Sequence, residues 1–205
     1  MENEYVVINI KAFLDKDNED TYIGEENLYQ LLSDFSCPKN PDVEHFIKNN
    51  AVSFTRKQQS ITYLVFHALT TSLVGYFSLT IKPISIRSAT IESNTDRNRL
   101  KRIATFDEEN QSYIAPAYLI AQLGKNYTLS KEHQIPGSIL LDLALDTIST
   151  LQYSIGGLLE FLECEDNEFL LNFYTSNHFK KFDTRTYISK LDNKKHALHQ
   201  LLKFI

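Results

Sequence analysis

The stretch Tyr113-Ile114-Ala115-Pro116-Ala117-Tyr118-Leu119-Ile120-Ala121-Gln122-Leu123, followed by Gly124-Lys125-Asn126, decides how this chain folds. It is apolar and of strand length, and a polar segment then leads to Pro136-Gly137-Ser138, where a helix opens. Ile139, Leu140, Leu143, Ala144, Ile148 and Leu151 form its buried stripe, with Asp142 and Asp146 on the wet face. Gly156-Gly157 ends the connection, Leu158 to Cys164 reads as another strand, and Asp166 offers an N-cap for a short helix through Tyr174.

Working toward the N-terminus, Tyr5 to Ile10 is a β-branched strand followed by an acidic loop from Asp15 to Asp20. Leu28, Leu31, Leu32 and Phe35 imply a helix over 25–35. A second helix starts at Asn40-Pro41 and carries Val43, Phe46, Ile47, Ala51 and Phe54 on one face. Ile61–Phe66 and Leu73–Ile81 read as a hairpin with its turn over 68–72. Residues from about 87 to 111 form a polar excursion with one short helix and the cations Arg87, Arg97, Arg99, Lys101 and Arg102; a loop of that length is functional or mobile. The segment His178–Ile205 reads as two closing strands or as a strand and a helix. The pattern predicts an α/β sandwich with one central sheet.

Composition bounds the function. The 205 residues carry 21 Lys and Arg against 26 Asp and Glu, a net charge of −5, which argues against a generic phosphate-coating nucleic-acid binder. With 13 Phe and 11 Tyr the chain has enough apolar area for a core. Cys37 and Cys164 are far apart, which suggests no disulfide framework and fits a reducing cytoplasm. The acidic start lacks a signal peptide's basic region, and the apolar runs are broken by charges, so neither secretion nor a membrane span is expected. His196 and His199 share helical spacing without a further ligand, which reads as surface histidines rather than a metal site. Cys164, inside an apolar strand with no histidine beside it in sequence, reads as a structural thiol.

In order and spacing, Pro116 to Lys125, Gln134 to Leu141, Leu162-Glu163-Cys164-Glu165-Asp166-Asn167 and Phe173-Tyr174-Thr175-Ser176-Asn177-His178-Phe179 resemble the GNAT N-acetyltransferase family. Phe35-Ser36-Cys37, the helix with Asp42 and Phe46-Ile47, and Val74-Gly75-Tyr76-Phe77-Ser78-Leu79 look like the opening of the subgroup that includes toxins of toxin–antitoxin pairs. The resemblance spans about residues 30 to 182. It implies a single GNAT domain over 1–205 with a mixed, mostly antiparallel sheet, a splayed strand pair and helices on both faces. It also implies acetyl-coenzyme A as donor and a cytoplasmic enzyme without a metal.

On matching positions, the resemblance implies main-chain contacts from Leu123, Gly124 and Lys125 to the pantetheine arm. The donor's diphosphate would meet the backbone of His133, Gln134, Ile135, Pro136, Gly137 and Ser138, and Asn167 would touch the cofactor. Tyr174 would be the general acid for the departing thiolate, a role that suits a phenol protonated at neutral pH. Glu163, with Glu165 on the same strand face, would be the base that deprotonates an ammonium. The family loop, Gln/Arg-x-x-Gly-x-Gly/Ala, here has Glu132, Ile135 and Gly137 in its fixed positions. A β-branched residue resists positive φ and narrows the backbone's approach, and Pro136 removes a donor, so weakened cofactor affinity is expected.

Three functions follow. One is N-acetyl transfer directly to the primary amine of a small molecule or protein. Another is a toxin acetylating aminoacyl-tRNA, with an antitoxin partner. The third is a degenerate GNAT domain kept as an interaction module. Edge strands of such a fold leave a homodimer open.

Overall fold

A computed structural model describes residues 4–188, 193 and 195–205. The elements are β1 (Tyr5–Asn9), α1 (Glu25–Ser33), α2 (Pro41–Asn49), α3 (Ala51–Arg56), β2 (Ile61–His67), β3 (Leu73–Arg87), α4 (Asn94–Ile103), β4 (Thr105–Asp107), β5 (Ser112–Lys125), α5 (Gly137–Ile155), β6 (Leu159–Glu165), α6 (Glu168–Ser176), β7 (Lys180–Ile188) and β8 (Lys195–Phe204). The strands form one eight-stranded sheet in the order β1-β2-β3-β5-β6-β8-β7, with β4 on β5. β5 and β6 are parallel neighbours, Tyr118 opposite Glu160 and Ile120 opposite Leu162. A parallel pair needs a long crossover, and α5 supplies it. The pairs β1/β2, β2/β3, β4/β5, β6/β8 and β7/β8 are antiparallel.

The chain divides into two compact units. The first holds the residues up to Thr80 with Ala121–Thr147. Its core joins Ile10, Leu28, Leu32, Phe35, Ile47, Leu64 and Tyr76, all fully buried. Asn40 caps α2 through Oδ1, which accepts from the N–H groups of Asp42 (3.1 Å) and Val43 (3.2 Å). The single helix expected from Asn40 through Phe54 is two helices, broken at Asn50, whose φ of −117° leaves the helical range. The apolar face survives the break, since the Phe46 and Phe54 rings still meet edge to face at 5.4 Å.

The second unit is Ile81–Ile120 with Ile148–Ile205. β3 runs past the expected Ile81 to Arg87, because Ile84 and Ile86 alternate inward along it. The excursion over 87–111 is a folded part of this unit rather than a loop. Ser93 caps α4, and Ile91 and Leu100 are buried with Ile84, Ile86, Tyr113 and Phe161. The Asp96 carboxylate accepts from Lys180 at 2.6 Å, and Arg87 reaches Asp183 at 2.7 Å. β3 and β7 are not neighbours in the strand order, and the Arg87–Asp183 ion pair joins the end of one to the other. The chain from Lys180 onward closes as two strands, β7 and β8.

Candidate active site

In the first unit, β5 ends at Leu123, Gly124 and Lys125. A Cβ on Gly124 would lie 2.4 Å from Val43 Cγ1 and 2.7 Å from Tyr76 Cε1. The missing side chain is therefore demanded by packing: Tyr76 lies against this strand, with its hydroxyl donating to the Val43 carbonyl at 2.7 Å and its ring edge-on to Phe35. Asn126 follows, buried, and was not singled out from the sequence. Its Oδ1 accepts from the Ser36 N–H (3.1 Å) and its Nδ2 donates to the Leu73 carbonyl (2.9 Å). The Tyr127 N–H donates to the Ser36 carbonyl at 2.8 Å. This explains the Phe35-Ser36-Cys37 motif: Phe35 fills the core and Ser36 ties the α1–α2 connection to the end of β5.

The loop before α5 departs from expectation in its most doubtful residue. Ile135 has no positive φ, and its side chain is fully buried. The branched side chain thus anchors the loop from beneath and does not stand in the path of an anion. Glu132 is exposed and accepts from Ser130 Oγ at 3.2 Å, which turns its charge to solvent. The His133 N–H is already committed to the Ser130 carbonyl (2.9 Å), and Gln134 Nε2 to the Leu129 carbonyl (2.9 Å). The Leu140 N–H bonds to the Pro136 carbonyl (3.1 Å), so Gly137, Ser138 and Ile139 supply the first-turn N–H groups of a 19-residue helix. Such a terminus suits a diphosphate.

In the second unit, Tyr174 lies in the last turn of α6, half-buried, with its ring edge-on to Phe173 (5.0 Å) and Phe179 (6.1 Å). Its hydroxyl has no hydrogen-bond partner among the described residues. Burial, and then the neighbouring Cys164 thiol, push its pKa well above the usual tyrosine range, so the proton is held throughout the neutral region. Asn167 caps α6, its Oδ1 accepting from the N–H groups of Phe169 (2.9 Å) and Leu170 (3.4 Å), which leaves its Nδ2 for any other ligand.

Glu163 on β6 is held by three donors. Arg185 Nε and Nη2 each reach one carboxylate oxygen at 2.5 Å, and Gln200 Nε2 reaches Oε1 at 2.7 Å. Burial alone would raise its pKa; the bonds from Arg185 and Gln200, with Lys82 further off, outweigh that and hold it below the usual carboxylate range. Glu160, three residues earlier and on the opposite face, is buried. Lys203 stands 3.3 Å from its Oε2 without hydrogen-bond geometry, and burial raises its pKa against that attraction.

His199 is not a surface residue. It is buried on β8 opposite Cys164, with Nε2 2.9 Å from Asp166 Oδ1 and Nδ1 3.3 Å from Thr184 Oγ1. The Cys164 thiol is buried and pushed up to about 11, first by burial and then by Glu165, so it stays protonated and inert. Of the excursion's cations, Arg87 pairs with Asp183, Arg97 donates to the Ile91 carbonyl (2.8 Å) and Arg99 lies over the Phe204 ring (5.4 Å). Lys101 and Arg102 are exposed.

A mixed, mostly antiparallel sheet with one parallel pair joined by a long helix defines a GNAT-like α/β fold. No family model matches the sequence, and no curated protein matches it. Solved structures of two toxins, AtaT and KacT, do match. AtaT complexed with acetyl-methionyl-tRNAfMet gives a TM-score of 0.62 over 95% of this chain and 93% of that one, at 17% identity. A tyrosine-to-phenylalanine variant of KacT gives 0.61 over 98% and 95%, at 15% identity. A variant AtaT toxin bound to the C-terminus of the antitoxin AtaR and acetyl-CoA gives 0.58 over 98% and 94%, at 15% identity. The likeness is one of fold, and it extends over nearly the whole of each chain. Among the described residues no helix is long and apolar enough to cross a membrane.

Proposed function

We propose that this chain is an acetyl-CoA-dependent N-acetyltransferase, and that its acceptor is the α-amine of an aminoacyl-tRNA, with an antitoxin as its protein partner. The observation that carries the reading is Tyr174: a protonated phenol with no hydrogen-bond partner among the described residues, in the position that the family resemblance gives to the general acid. AtaT, with the same fold, is seen with acetyl-CoA and with acetyl-methionyl-tRNAfMet, which supports both the donor and the acceptor class.

The donor supplies the acetyl thioester as a substrate. Within the first unit, Gly137, Ser138 and Ile139 would offer their N–H groups to a diphosphate. As the acceptor nitrogen bonds to the acetyl carbon and the carbon–sulfur bond breaks, the Tyr174 hydroxyl gives its proton to the sulfur. The proton lost by the nitrogen restores the phenol. Glu163 bears on the acceptor. A carboxylate held by Arg185 and Gln200 is a weak proton acceptor, so the amine must arrive largely neutral. At pH 7 an α-amine is about one part in seven neutral and a lysine amine about one part in 2,500. The site therefore favours an α-amine, and Glu163 serves to fix Arg185 and Gln200 rather than as the base.

A calorimetric titration with acetyl-CoA, with desulfo-CoA as control, tests the donor. Binding in the micromolar range, about −8 kcal/mol, is expected. Turnover is then read on charged tRNA and on a lysine peptide, with Tyr174→Phe as the inactive reference. No heat with acetyl-CoA removes the enzyme reading and leaves an interaction module. Turnover of the lysine peptide in preference to charged tRNA removes the α-amine acceptor.

A further inference from the structure

The first unit contains a pair of cations that no carboxylate pairs with among the described residues. Lys39 Nζ lies 5.1 Å from the centroid of the Tyr127 ring and Lys125 Nζ lies 5.7 Å from it. The two lysines come from stretches far apart in sequence, the α1–α2 connection and the end of β5. The backbone holds them together beside the ring through the Ser36–Asn126 and Tyr127–Ser36 hydrogen bonds. Each cation is attracted to the ring face, but a phenol ring carries no net charge.

Three lysines are paired with acids, Lys48 with Glu44, Lys180 with Asp96 and Lys203 with Glu160, whereas Lys39 and Lys125 share one aromatic ring. Among the described residues neither Lys39 nor Lys125 has a carboxylate within ion-pair distance. Glu44, the acid on the neighbouring helix, spends its oxygens on Lys48, the Cys37 N–H (2.7 Å) and Ser36 Oγ (3.2 Å). In a chain with more acids than bases, two ammonium groups are gathered on one aromatic side chain with no ion-pair partner among the described residues. Burial, and then the Lys39 charge, lower the Lys125 pKa, so Lys125 feels this crowding.

We infer that Lys39 and Lys125, carried on Tyr127, form a binding site for a phosphate ester. Two ammonium point charges converging from separate stretches suit the spread oxygens of a tetrahedral phosphate, whereas a lone planar carboxylate is better met by the arginine fork. The inference rests on the proposed function only for the source of the phosphate, which is either coenzyme A or the acceptor RNA backbone. The site itself is independent of any acetyl transfer.

The test is a lysine footprint of the full chain. The protein is acylated with limiting N-hydroxysuccinimidyl acetate, alone and with inorganic pyrophosphate, coenzyme A or uncharged tRNA, and modification is read by mass spectrometry at Lys39 and Lys125 against exposed Lys57. Pyrophosphate is expected to cut modification fivefold or more at both residues and to spare Lys57. In Lys39→Gln the protection of Lys125 is expected to fall, and in Lys39→Arg to persist. Unchanged modification at both lysines with all three probes, or protection of Lys125 that ignores Lys39→Gln, overturns the site.

Protection by coenzyme A and not by tRNA assigns the phosphate to the donor. The reverse assigns it to the RNA, and the slope of log affinity on log salt then falls by about 1.5 in the double glutamine variant. Protection by pyrophosphate with no heat from acetyl-CoA keeps the site and removes the acetyltransferase reading. Acetyl-CoA binding without protection by any probe does the opposite.

Discussion

Two segments carry the residues that a GNAT reading depends on, and they answer to it in different ways. In the loop over 131–138 the departures from the family motif are conspicuous in sequence, but Ile135 points into the core and Glu132 into solvent, so neither side chain lies across the helix terminus. In the segment over 159–176 the residues resemble the family, yet they differ in what they are bonded to. Among the described residues the Tyr174 hydroxyl has no hydrogen-bond partner, while Glu163 is bonded to Arg185 and Gln200. Side-chain identity at a motif position thus says less than what the side chain is already bonded to.

The sharpest way to break this contrast is at Tyr174. Tyr174→Phe removes only a hydroxyl that has no hydrogen-bond partner among the described residues, so the fold and acetyl-CoA affinity are expected to be unchanged while kcat falls by about 10² to 10⁴, the usual worth of a positioned acid. Single-turnover kinetics beside calorimetry check this. A variant that keeps its rate takes the chemistry away from α6.

Next in size is Ile135→Gly. From the motif alone this substitution would restore cofactor affinity. The structure predicts the contrary, a loss of stability of about 3 to 5 kcal/mol from an emptied core position and a freed backbone, with no gain in affinity. Urea unfolding gives the first quantity and titration with acetyl-CoA the second. Tighter binding in a folded Ile135→Gly protein would mean that the side chain does obstruct the donor.

The two substitutions also mark how far the sequence could be read. β5, α5 and β6 were legible because each writes its burial into a local period, and the Asn40 cap because Asn-Pro acts within three residues. The length of β3 was hidden: Lys82 and Pro83 break the apolar run although Ile84 and Ile86 continue the alternation. The excursion looked like a loop because its packing rests on a few residues, Ile91 and Leu100 among them, whose partners are on other elements. His199 looked exposed because Asp166 and Thr184 reach it across strands. At the candidate site, only the family resemblance of 173–179 points to Tyr174, and nothing local to Glu163 announces Arg185. Asn126 carries a local signal, a polar residue directly after the Gly124-Lys125 end of an apolar strand.

A weaker test falls on Glu163. If the carboxylate only holds Arg185 and Gln200, Glu163→Gln keeps kcat/KM on charged tRNA within about tenfold, and the pH–rate profile keeps its shape, since a general base is worth about 10² or more. A hundredfold loss with a flattened acid limb would return the base to Glu163.

The smallest effect separates the two glutamates of β6. Glu163 has a folded pKa below its unfolded value, so it contributes stability that is present above the unfolded pKa and is lost as the pH falls through the folded one. Glu160 is shifted the other way by burial: its contribution is full below the unfolded pKa and is lost as the pH rises through the folded one. Near the acid end the two oppose each other within one strand. Unfolding free energies measured from pH 3 to pH 7 are expected to rise less steeply with pH in Glu163→Gln than in the parent chain, and more steeply in Glu160→Gln. Equal slopes in the two variants would mean that opposite faces of β6 treat a carboxylate alike, contrary to three donors on one face and a single lysine without hydrogen-bond geometry on the other.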